Sequence, residues 1–279
     1  MVNNSANEQK ETKKVRHIVA LSGGKDSSAL AIYMRGKIPD VEYVFCDTGE
    51  ELDETYEYIN KLQDFLCKEI TQLKTEKDFS YYVDLYNGVL PSPSSRWCTR
   101  MLKLMPYEDF IGDDPVISYV GIRADEPHRT GYISTKPNIK TVFPFVEDNL
   151  RHDDIMRILN ESGLGLPKYY EWRSRSGCYF CFFQQKMEWV GLLENHPGLF
   201  ETAKAYERFD EKTGERYTWV QGESLEELAQ PDRIVQIKEN YEKRKLREAN
   251  SFKGNQKLND LWNEDFEDDE EASCNICHL

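Results

Sequence analysis

The sequence predicts an α/β fold, a parallel five-stranded sheet flanked by helices, with a helical C-terminal appendage. Two observations predict it. Short apolar segments of the kind that form buried strands recur along the first half of the chain, and segments with helical spacing lie between them. Strands that alternate with helices form βαβ units, which give a parallel sheet with helices on both faces. In such a sheet a ligand lies at the carboxyl ends of the strands.

Apolar runs bounded by turn residues predict the strands, and amphipathic spacing predicts the helices. The predicted strands are residues 17–21, 41–46, 70–73, 116–122 and 141–145. The predicted helices are residues 27–34, 53–67, 152–163, 187–193 and 198–209, with a helix or helical pair over 224–250. The first strand therefore leads through a short glycine-containing loop directly into the first helix.

Three parts are predicted along the chain. Residues 1–14 are polar and predict a disordered arm, because they offer little apolar surface to bury. Residues 15–217 form the main domain, which carries both the glycine loop and a group of cysteines. Residues 218–279 form the helical appendage, followed by an acidic tail that ends in a Cys-x-x-Cys pair.

Composition limits the classes of function. No stretch approaches the roughly 20 apolar residues that span a bilayer, and the N-terminus lacks the apolar region of a signal peptide, so we expect a cytoplasmic protein without a membrane partner. Seven cysteines in such a protein indicate metal or redox chemistry rather than a disulfide framework. The net charge of −14 does not support a nucleic-acid partner, although it does not exclude one. An oligomer is equally compatible with the sequence.

The loop after the first strand has the composition of an anion site. It consists of Ser22, Gly23, Gly24, Lys25, Asp26 and Ser27. Two glycines allow the backbone to approach a phosphate closely, the following helix presents free N–H groups, and the lysine adds a positive charge. The spacing is not that of a Walker A loop. The alternative is a plain glycine turn between a strand and a helix.

This loop resembles the pyrophosphate loop of the PP-loop ATP pyrophosphatases, the adenine nucleotide alpha-hydrolase-like superfamily. Four further blocks follow in order, and with the loop they make residues 16–210 resemble the phosphoadenosine phosphosulfate (PAPS) reductase family. The blocks are Asp47, Thr48 and Gly49 with Glu54 and Thr55; Arg96, Trp97, Cys98 and Thr99 with Lys103; residues 121–126 with Arg129; and Ser176, Gly177, Cys178 and Cys181.

The resemblance implies an adenine nucleotide as ligand, and ATP in particular, because the loop is intact here and degraded in the assimilatory reductases. It implies that Arg96 and Lys103 also point into the nucleotide cleft, and that Asp26 and Asp47 are the carboxylates best placed to hold Mg²⁺. The implied nucleotide-binding residues are Ser22, Gly23, Gly24, Lys25, Asp26, Ser27, Asp47, Thr48, Gly121, Arg123 and Arg129. Lys25, Asp26 and Arg123 are the implied catalytic residues of the loop region.

Three cysteines, Cys98, Cys178 and Cys181, are the candidate metal ligands. The iron–sulfur members of the family carry a Cys-Cys pair where this chain has Cys98 and Thr99. Three thiolates would hold a [4Fe–4S] cluster with one iron open to a sulfur atom. The alternatives are a zinc site with a fourth ligand and a set of reduced thiols without metal.

Three functions follow from the resemblance. The first is cleavage of ATP to AMP and pyrophosphate through an adenylated intermediate in sulfur transfer, with a sulfur-donor protein and with nucleic acid as one candidate acceptor. The three cysteines, which would leave one iron of a cluster open to a sulfur atom, resemble those of the sulfur-transfer component of DNA phosphorothioation systems. The second is sulfonucleotide (PAPS or APS) reduction, with Cys277 of the C-terminal Cys274-Asn-Ile-Cys277 as the nucleophile. The third is a non-catalytic subunit that senses nucleotide within a larger complex.

Overall fold

A computed structural model describes residues 13–129, 131, 134–209 and 214–251. Its main sheet has five parallel strands in the order β3-β2-β1-β4-β5. The strands are β1 (Arg16–Leu21), β2 (Val41–Asp47), β3 (Ile70–Lys74), β4 (Val116–Tyr119) and β5 (Ile139–Val142). The order reverses at β1, so the loops after β1 and β4 border a topological switch point, where ligands bind in open α/β sheets.

Helices cover both faces of this sheet. Three of them, α1 (Lys25–Arg35), α2 (Asp53–Leu66) and α7 (His152–Glu161), pack on the face that carries Val19 and Leu21. On the other face, Ile18 and Ala20 pack against α5 (Met105–Ile111). Both faces are buried because successive side chains of β1 point to opposite sides, and this explains its continuous apolar sequence.

The rest of the chain adds short elements around this core. Trp97–Thr99 (α4) continues through a π-helical turn, Arg100–Leu104, into α5. The other elements are α3 (Phe79–Leu85), α6 (Pro144–Glu147), a 3₁₀ turn at Lys168–Glu171, α8 (Lys186–Asn195), α9 (Pro197–Ala205), β6 (Arg208–Phe209), β7 (Arg216–Tyr217), α10 (Leu225–Leu228) and α11 (Pro231–Ser251).

The predicted fold class is confirmed, and three predicted boundaries are wrong. The fourth strand ends at Tyr119 rather than at residue 122. The fifth ends at Val142, because Pro144 begins α6 instead of extending the strand. The helix predicted over 198–209 ends at Ala205, and Arg208–Phe209 pairs with β7 in an antiparallel ladder. The helical pair predicted over 224–250 is present as α10 and α11.

A second hydrophobic cluster joins the cysteine-containing loop to the appendage. Phe180, which lies between two of the cysteines, packs at a tilt against Phe79 at 3.9 Å and stacks on Trp219 at 5.2 Å between ring centroids. Leu225 and Leu228 of α10 are fully buried in the same cluster. The first residues of the appendage thus share a core with the main domain, and the boundary at residue 217 stays a prediction.

At the N-terminal side, Lys13 and Lys14 form surface ion pairs with Asp114 and Asp40. The remainder of the predicted arm, residues 1–12, and the acidic tail with its Cys-x-x-Cys pair lie outside the described residues. Among the helices that the structure describes, none is both long enough and apolar enough to cross a membrane.

Candidate functional site

A cavity of about 210 Å³ opens beyond the carboxyl ends of β1 and β4. Five cations and two carboxylates are among the described residues that line it. The lining consists of Ser22, Gly24, Lys25, Asp26, Lys103, Arg123, Glu126, Arg129, Tyr170, Ser174, Arg175, Ser176 and Gly177. In a protein with a net charge of −14, this cavity therefore has the opposite sign, which suits an anionic ligand.

The glycine loop forms the wall of the cavity at the start of α1. Gly23 has a φ of 72°, and a Cβ atom there would lie 2.6 Å from Thr55 Cγ2. Only glycine tolerates both conditions. The N-cap of α1 is Gly24, which provides no side-chain cap, so the positive end of the helix faces the cavity.

The two serines hold the loop in shape. Ser27 Oγ accepts a hydrogen bond from the Ser22 backbone N–H at 3.2 Å and contacts Gly24 O at 3.1 Å. The Ser22 and Ser27 hydroxyls are 3.1 Å apart. These contacts connect the two ends of the loop, so both serines stabilise its conformation as well as adding polar groups to it.

Asp26 is buried between two cations. Its carboxylate pairs with Lys25 Nζ at 3.1 Å and with Arg123 Nη1 at 2.9 Å, and its side chain is 8% exposed. Burial disfavours the charge on Arg123, but Asp26 and Glu126 outweigh it and raise the pKa of that guanidinium. Glu126 also binds Arg129 Nη1 at 2.6 Å. The two carboxylates therefore fix two arginines at the cavity.

Gly121 allows β4 to end close to α1. A Cβ atom at this position would lie 3.0 Å from the Asp26 carbonyl oxygen, a backbone atom that cannot move aside cheaply. The loop that carries Arg123 can reach Asp26 because this approach is open. Gly121 thus positions the site and does not line it.

Lys103 lines the cavity and lies near three of the cysteines. Burial disfavours its charged form, but the Glu51 carboxylate and the thiols of Cys178, Cys46 and Cys98 outweigh burial and raise the pKa of Lys103. Lys103 therefore stays protonated at neutral pH. The Lys103 ammonium therefore interacts with the thiols on a residue that also lines the cavity.

The structure brings Cys98, Cys178 and Cys181 into one neighbourhood. Burial, and then the neighbouring Cys181, raises the pKa of the Cys98 thiol to about 11. Burial, Glu51 and Cys181 raise the pKa of the Cys178 thiol well above its ordinary value. Within the described residues, however, no three His, Cys, Asp or Glu side chains form a group able to hold a metal ion. The donor set does not fit a cluster or a zinc ion as placed, and both stay predictions.

Two predicted residues, Asp47 and Thr48, lie outside the cavity lining. They follow β2, where Asp47 Oδ1 accepts hydrogen bonds from the Gly49 N–H at 2.8 Å and from the Tyr56 hydroxyl at 2.7 Å. Thr48 Oγ1 donates to Glu51 at 2.9 Å. The predicted pairing of Asp26 with Asp47 around Mg²⁺ stays a prediction. The predicted nucleophile Cys277 lies outside the described residues.

Arg96 does not reach the cavity, contrary to the expectation that it points into the cleft. Its guanidinium lies 5.2 Å from the ring centroid of Phe183, and its Nε donates to Pro93 O at 3.1 Å. Arg175, which sequence reasoning missed, lines the cavity and lies 5.6 Å from the same ring. A basic residue two positions before Gly177 was the one available signal for it.

Sequence reasoning also missed two tyrosines that hold the glycine loop. Tyr169 Oη donates to Gly23 O at 3.2 Å, and Tyr170 Oη accepts the Lys25 backbone N–H at 3.1 Å. Both belong to the 3₁₀ turn at Lys168–Glu171, about 145 residues after the loop. No local pattern marks them, because their role depends on a contact between distant segments.

A glycine loop at the start of the first helix, an intact Ser-Gly-Gly-Lys-Asp-Ser sequence and a cationic cavity define a PP-loop protein of the α/β class. The chain belongs to the family of the phosphoadenosine phosphosulfate reductase domain, whose model matches residues 16–182.

Its relatives include an uncharacterized protein from Methanocaldococcus jannaschii, 29% identical over 197 residues, which are 66% of this chain and 40% of that protein. An adenosine 5'-phosphosulfate reductase from Staphylococcus haemolyticus is 28% identical over 130 residues, 45% of this chain and 53% of the relative. The tRNA-specific 2-thiouridylase MnmA from Lactobacillus johnsonii is 30% identical over 117 residues, 37% of this chain and 31% of the relative. The chain spans less than half the length of the archaeal relative.

Proposed function

We propose that this protein is an enzyme of nucleotide-linked sulfur transfer that binds ATP through residues 22–27 and cleaves it to AMP and pyrophosphate. The observation that carries the proposal is the cationic cavity at the N-terminus of α1, where the N-cap Gly24 provides no side-chain cap. Helix N-termini with nearby lysine and arginine side chains bind phosphate groups. The cavity's charge excess matches a polyphosphate better than a neutral or singly charged ligand.

In this proposal, the β- and γ-phosphates of ATP lie against the glycine loop and Lys25. Arg123 and Arg129 are held at the cavity by Asp26 and Glu126, so their guanidinium groups need little reorganisation when the nucleotide binds. Mg²⁺ enters with the nucleotide as part of the substrate. Asp26 has the additional role of keeping Lys25 and Arg123 at fixed positions.

The proposed reaction has two displacements. An oxygen of the acceptor attacks the α-phosphorus, the bond to the bridging oxygen of the β-phosphate breaks, and pyrophosphate leaves with the bonding electrons. A sulfur nucleophile then displaces AMP from the adenylated acceptor. Catalysis consists mainly of positioning and charge neutralisation by Lys25 and Arg123.

The cysteine loop is proposed to hold the sulfur nucleophile, which a sulfur-donor protein supplies as a hydrosulfide. Cys178 directly follows Gly177, which lines the cavity, and Lys103 lines the cavity and interacts with the thiols. Burial raises the pKa of the Cys178 thiol well above its ordinary value, and the Lys103 ammonium opposes this shift only in part. The hydrosulfide sulfur bonds to the adenylated acceptor as the bond to AMP breaks, and its proton is released to solvent, so the proposal does not depend on a cluster at these cysteines.

The alternative enzymatic function is sulfonucleotide reduction, which the similarity to an adenosine 5'-phosphosulfate reductase favours. The same cavity suits a nucleotide with a sulfate group. Its proposed nucleophile is Cys277. A third alternative, nucleotide sensing without turnover, uses the cavity for binding alone.

Product analysis separates these functions. We expect purified protein with Mg·ATP, a candidate acceptor and sulfide to form AMP and pyrophosphate in equal amounts, and Lys25→Ala to abolish both. Lys37→Ala, which removes a lysine paired with Asp148 at the surface, is the matched control and should leave the rate unchanged. Release of sulfite from PAPS or APS with a thiol reductant, lost in Cys277→Ser, would replace the proposal by the second function. Tight nucleotide binding without any product would replace it by the third.

A further inference from the structure

Tyr170 forms part of the cavity wall beside the glycine loop. Its hydroxyl oxygen lies 3.1 Å from the backbone nitrogen of Lys25, the first residue of α1. The Lys25 ammonium lies 5.8 Å from the centroid of the Tyr170 ring. A Cβ atom on Gly24 would approach the same hydroxyl to 3.4 Å. The phenol group therefore contacts the loop where the helix begins and where a phosphate would bind.

The hydrogen-bonding capacity of this hydroxyl is only partly used by the loop. A phenol has one proton to donate and lone pairs that accept. Toward Lys25 the oxygen accepts, so this contact leaves the O–H proton for another acceptor. Burial, the largest influence, raises the pKa of Tyr170, and the group therefore remains a protonated donor at neutral pH.

The neighbouring Tyr169 has a different position. Its hydroxyl is buried and donates to Gly23 O at 3.2 Å, and its ring stacks on that of Tyr170 with 4.9 Å between centroids. The Tyr169 hydroxyl thus donates to the loop backbone, and it also interacts with the Tyr170 hydroxyl in the sense that leaves the Tyr170 proton unused. Of the two adjacent tyrosines, Tyr170 is the one that lines the cavity.

We propose that Tyr170 is a phosphate-binding residue of this site: its hydroxyl donates a hydrogen bond to an oxygen of the bound pyrophosphate moiety while its oxygen continues to accept the Lys25 N–H. The inference rests on the proposed function, since it takes a polyphosphate as the ligand of the cavity. It adds a neutral hydrogen-bond donor to the cations, so the site fixes the orientation of the phosphate as well as neutralising its charge. It also extends the phosphate site to the segment that leads into the cysteine loop.

Inorganic pyrophosphate is the probe, and titration calorimetry measures its affinity. We expect Tyr170→Phe to weaken pyrophosphate binding about 10-fold or more, because a hydrogen bond to a charged group is lost. Tyr33→Phe removes a hydroxyl that donates to Asp148 near the C-terminal end of α1, about two helical turns from the loop, and this variant should bind pyrophosphate as the parent does. Thermal unfolding of each variant shows whether the fold is intact.

A second variant separates phosphate binding from mere support of the loop. Incorporation of 3-fluorotyrosine at position 170 makes the hydroxyl a stronger donor and a weaker acceptor. If Tyr170 donates to pyrophosphate, the fluorinated protein binds it as tightly as the parent or more tightly. If Tyr170 only accepts from Lys25, fluorination weakens binding in the same direction as Tyr170→Phe, and this overturns the proposal.

Two further results are distinguishable from each other. If the parent and Tyr170→Phe bind pyrophosphate equally well, the role of Tyr170 is overturned and the proposed function stands. Parent protein that binds neither pyrophosphate nor ATP overturns both.

Discussion

Asp26 Oδ1 accepts a hydrogen bond from Arg123 Nη1 at 2.9 Å, and this contact ties the first turn of α1 to the loop after β4. The two residues are 97 positions apart in the chain. They meet because β1 and β4 are neighbours in the sheet, so that the loops beyond their carboxyl ends share one edge. The order of the strands therefore brings the two residues together and so sets the position of a cation at the cavity.

Removal of the arginine should destabilise the fold as well as the site. Asp26 pairs with both Lys25 and Arg123, and Arg123→Met removes one of these two cations from the buried carboxylate. We expect the free energy of unfolding to fall by about 3 kcal/mol. Arg157→Met, which breaks an exposed pair with Asp154, should cost less than about 0.5 kcal/mol. Urea denaturation measures both. If both variants lose the same free energy of unfolding, the buried ion pair stabilises the fold no more than the exposed one, which would contradict the prediction.

Gly23 should be irreplaceable for two separable reasons. Gly23→Ala strains a backbone with a φ of 72° and also forces Cβ against Thr55, whereas Gly163→Ala meets a similar φ of 76° with open space around it. We expect Gly163→Ala to cost about 1 kcal/mol and Gly23→Ala at least about 1 kcal/mol more. If both substitutions lower the free energy of unfolding equally, the contact with Thr55 does not constrain the loop.

Glu51 should make stability depend on pH. Burial, more than any other influence, raises the pKa of this carboxyl above its ordinary 4.5. The folded state then holds a proton that the unfolded state releases, so the stability contribution is present below about pH 4.5 and is lost as pH rises through the folded-state pKa. Glu51→Gln should therefore gain stability relative to the parent as pH rises above about 4.5, and the exposed Glu57→Gln should not. Urea denaturation across this pH range measures the difference in the free energy of unfolding between the parent and Glu51→Gln, and a difference that is independent of pH would contradict the prediction.

Two cysteines outside the candidate set should differ strongly in reactivity. Cys46 is buried, and burial raises the pKa of its thiol to about 12, whereas Cys67 is exposed. Since the thiolate is the reactive form, iodoacetamide at about pH 8 should label Cys67 roughly a hundredfold or more faster than Cys46. Mass spectrometry of the digested protein measures each site. Comparable rates in the native protein would mean that β2 is far more open than its packing indicates.

The strands and the glycine loop could be predicted because their signals are local. The apolar run of β1, the two glycines and Lys25 lie within about ten residues of one another, and each follows from backbone sterics or burial. The end of β5 is misplaced in the prediction because residues 141–145 are a short run rich in β-branched and aromatic residues, although Pro144 is equally suited to the first turn of a helix.

The rest of the site could not be predicted from local patterns. Tyr169, Tyr170 and Arg175 reach the cavity through the turn before the cysteine loop, and their positions depend on how that turn packs against α1. Lys103 was expected in the cleft from the family resemblance and lines the cavity, but its interaction with the thiols required the packed structure. Arg96 was expected there as well, and instead packs on Phe183.

Calorimetric titration of the intact protein with Mg·ATP tests the central claim most directly, since that claim is that the loop and its cavity bind a polyphosphate. We predict saturable binding at one site per chain, at least about 10-fold weaker in Lys25→Ala and unchanged in Lys37→Ala. Binding by Lys25→Ala that equals that of the parent, or no binding of ATP by the parent, would contradict it.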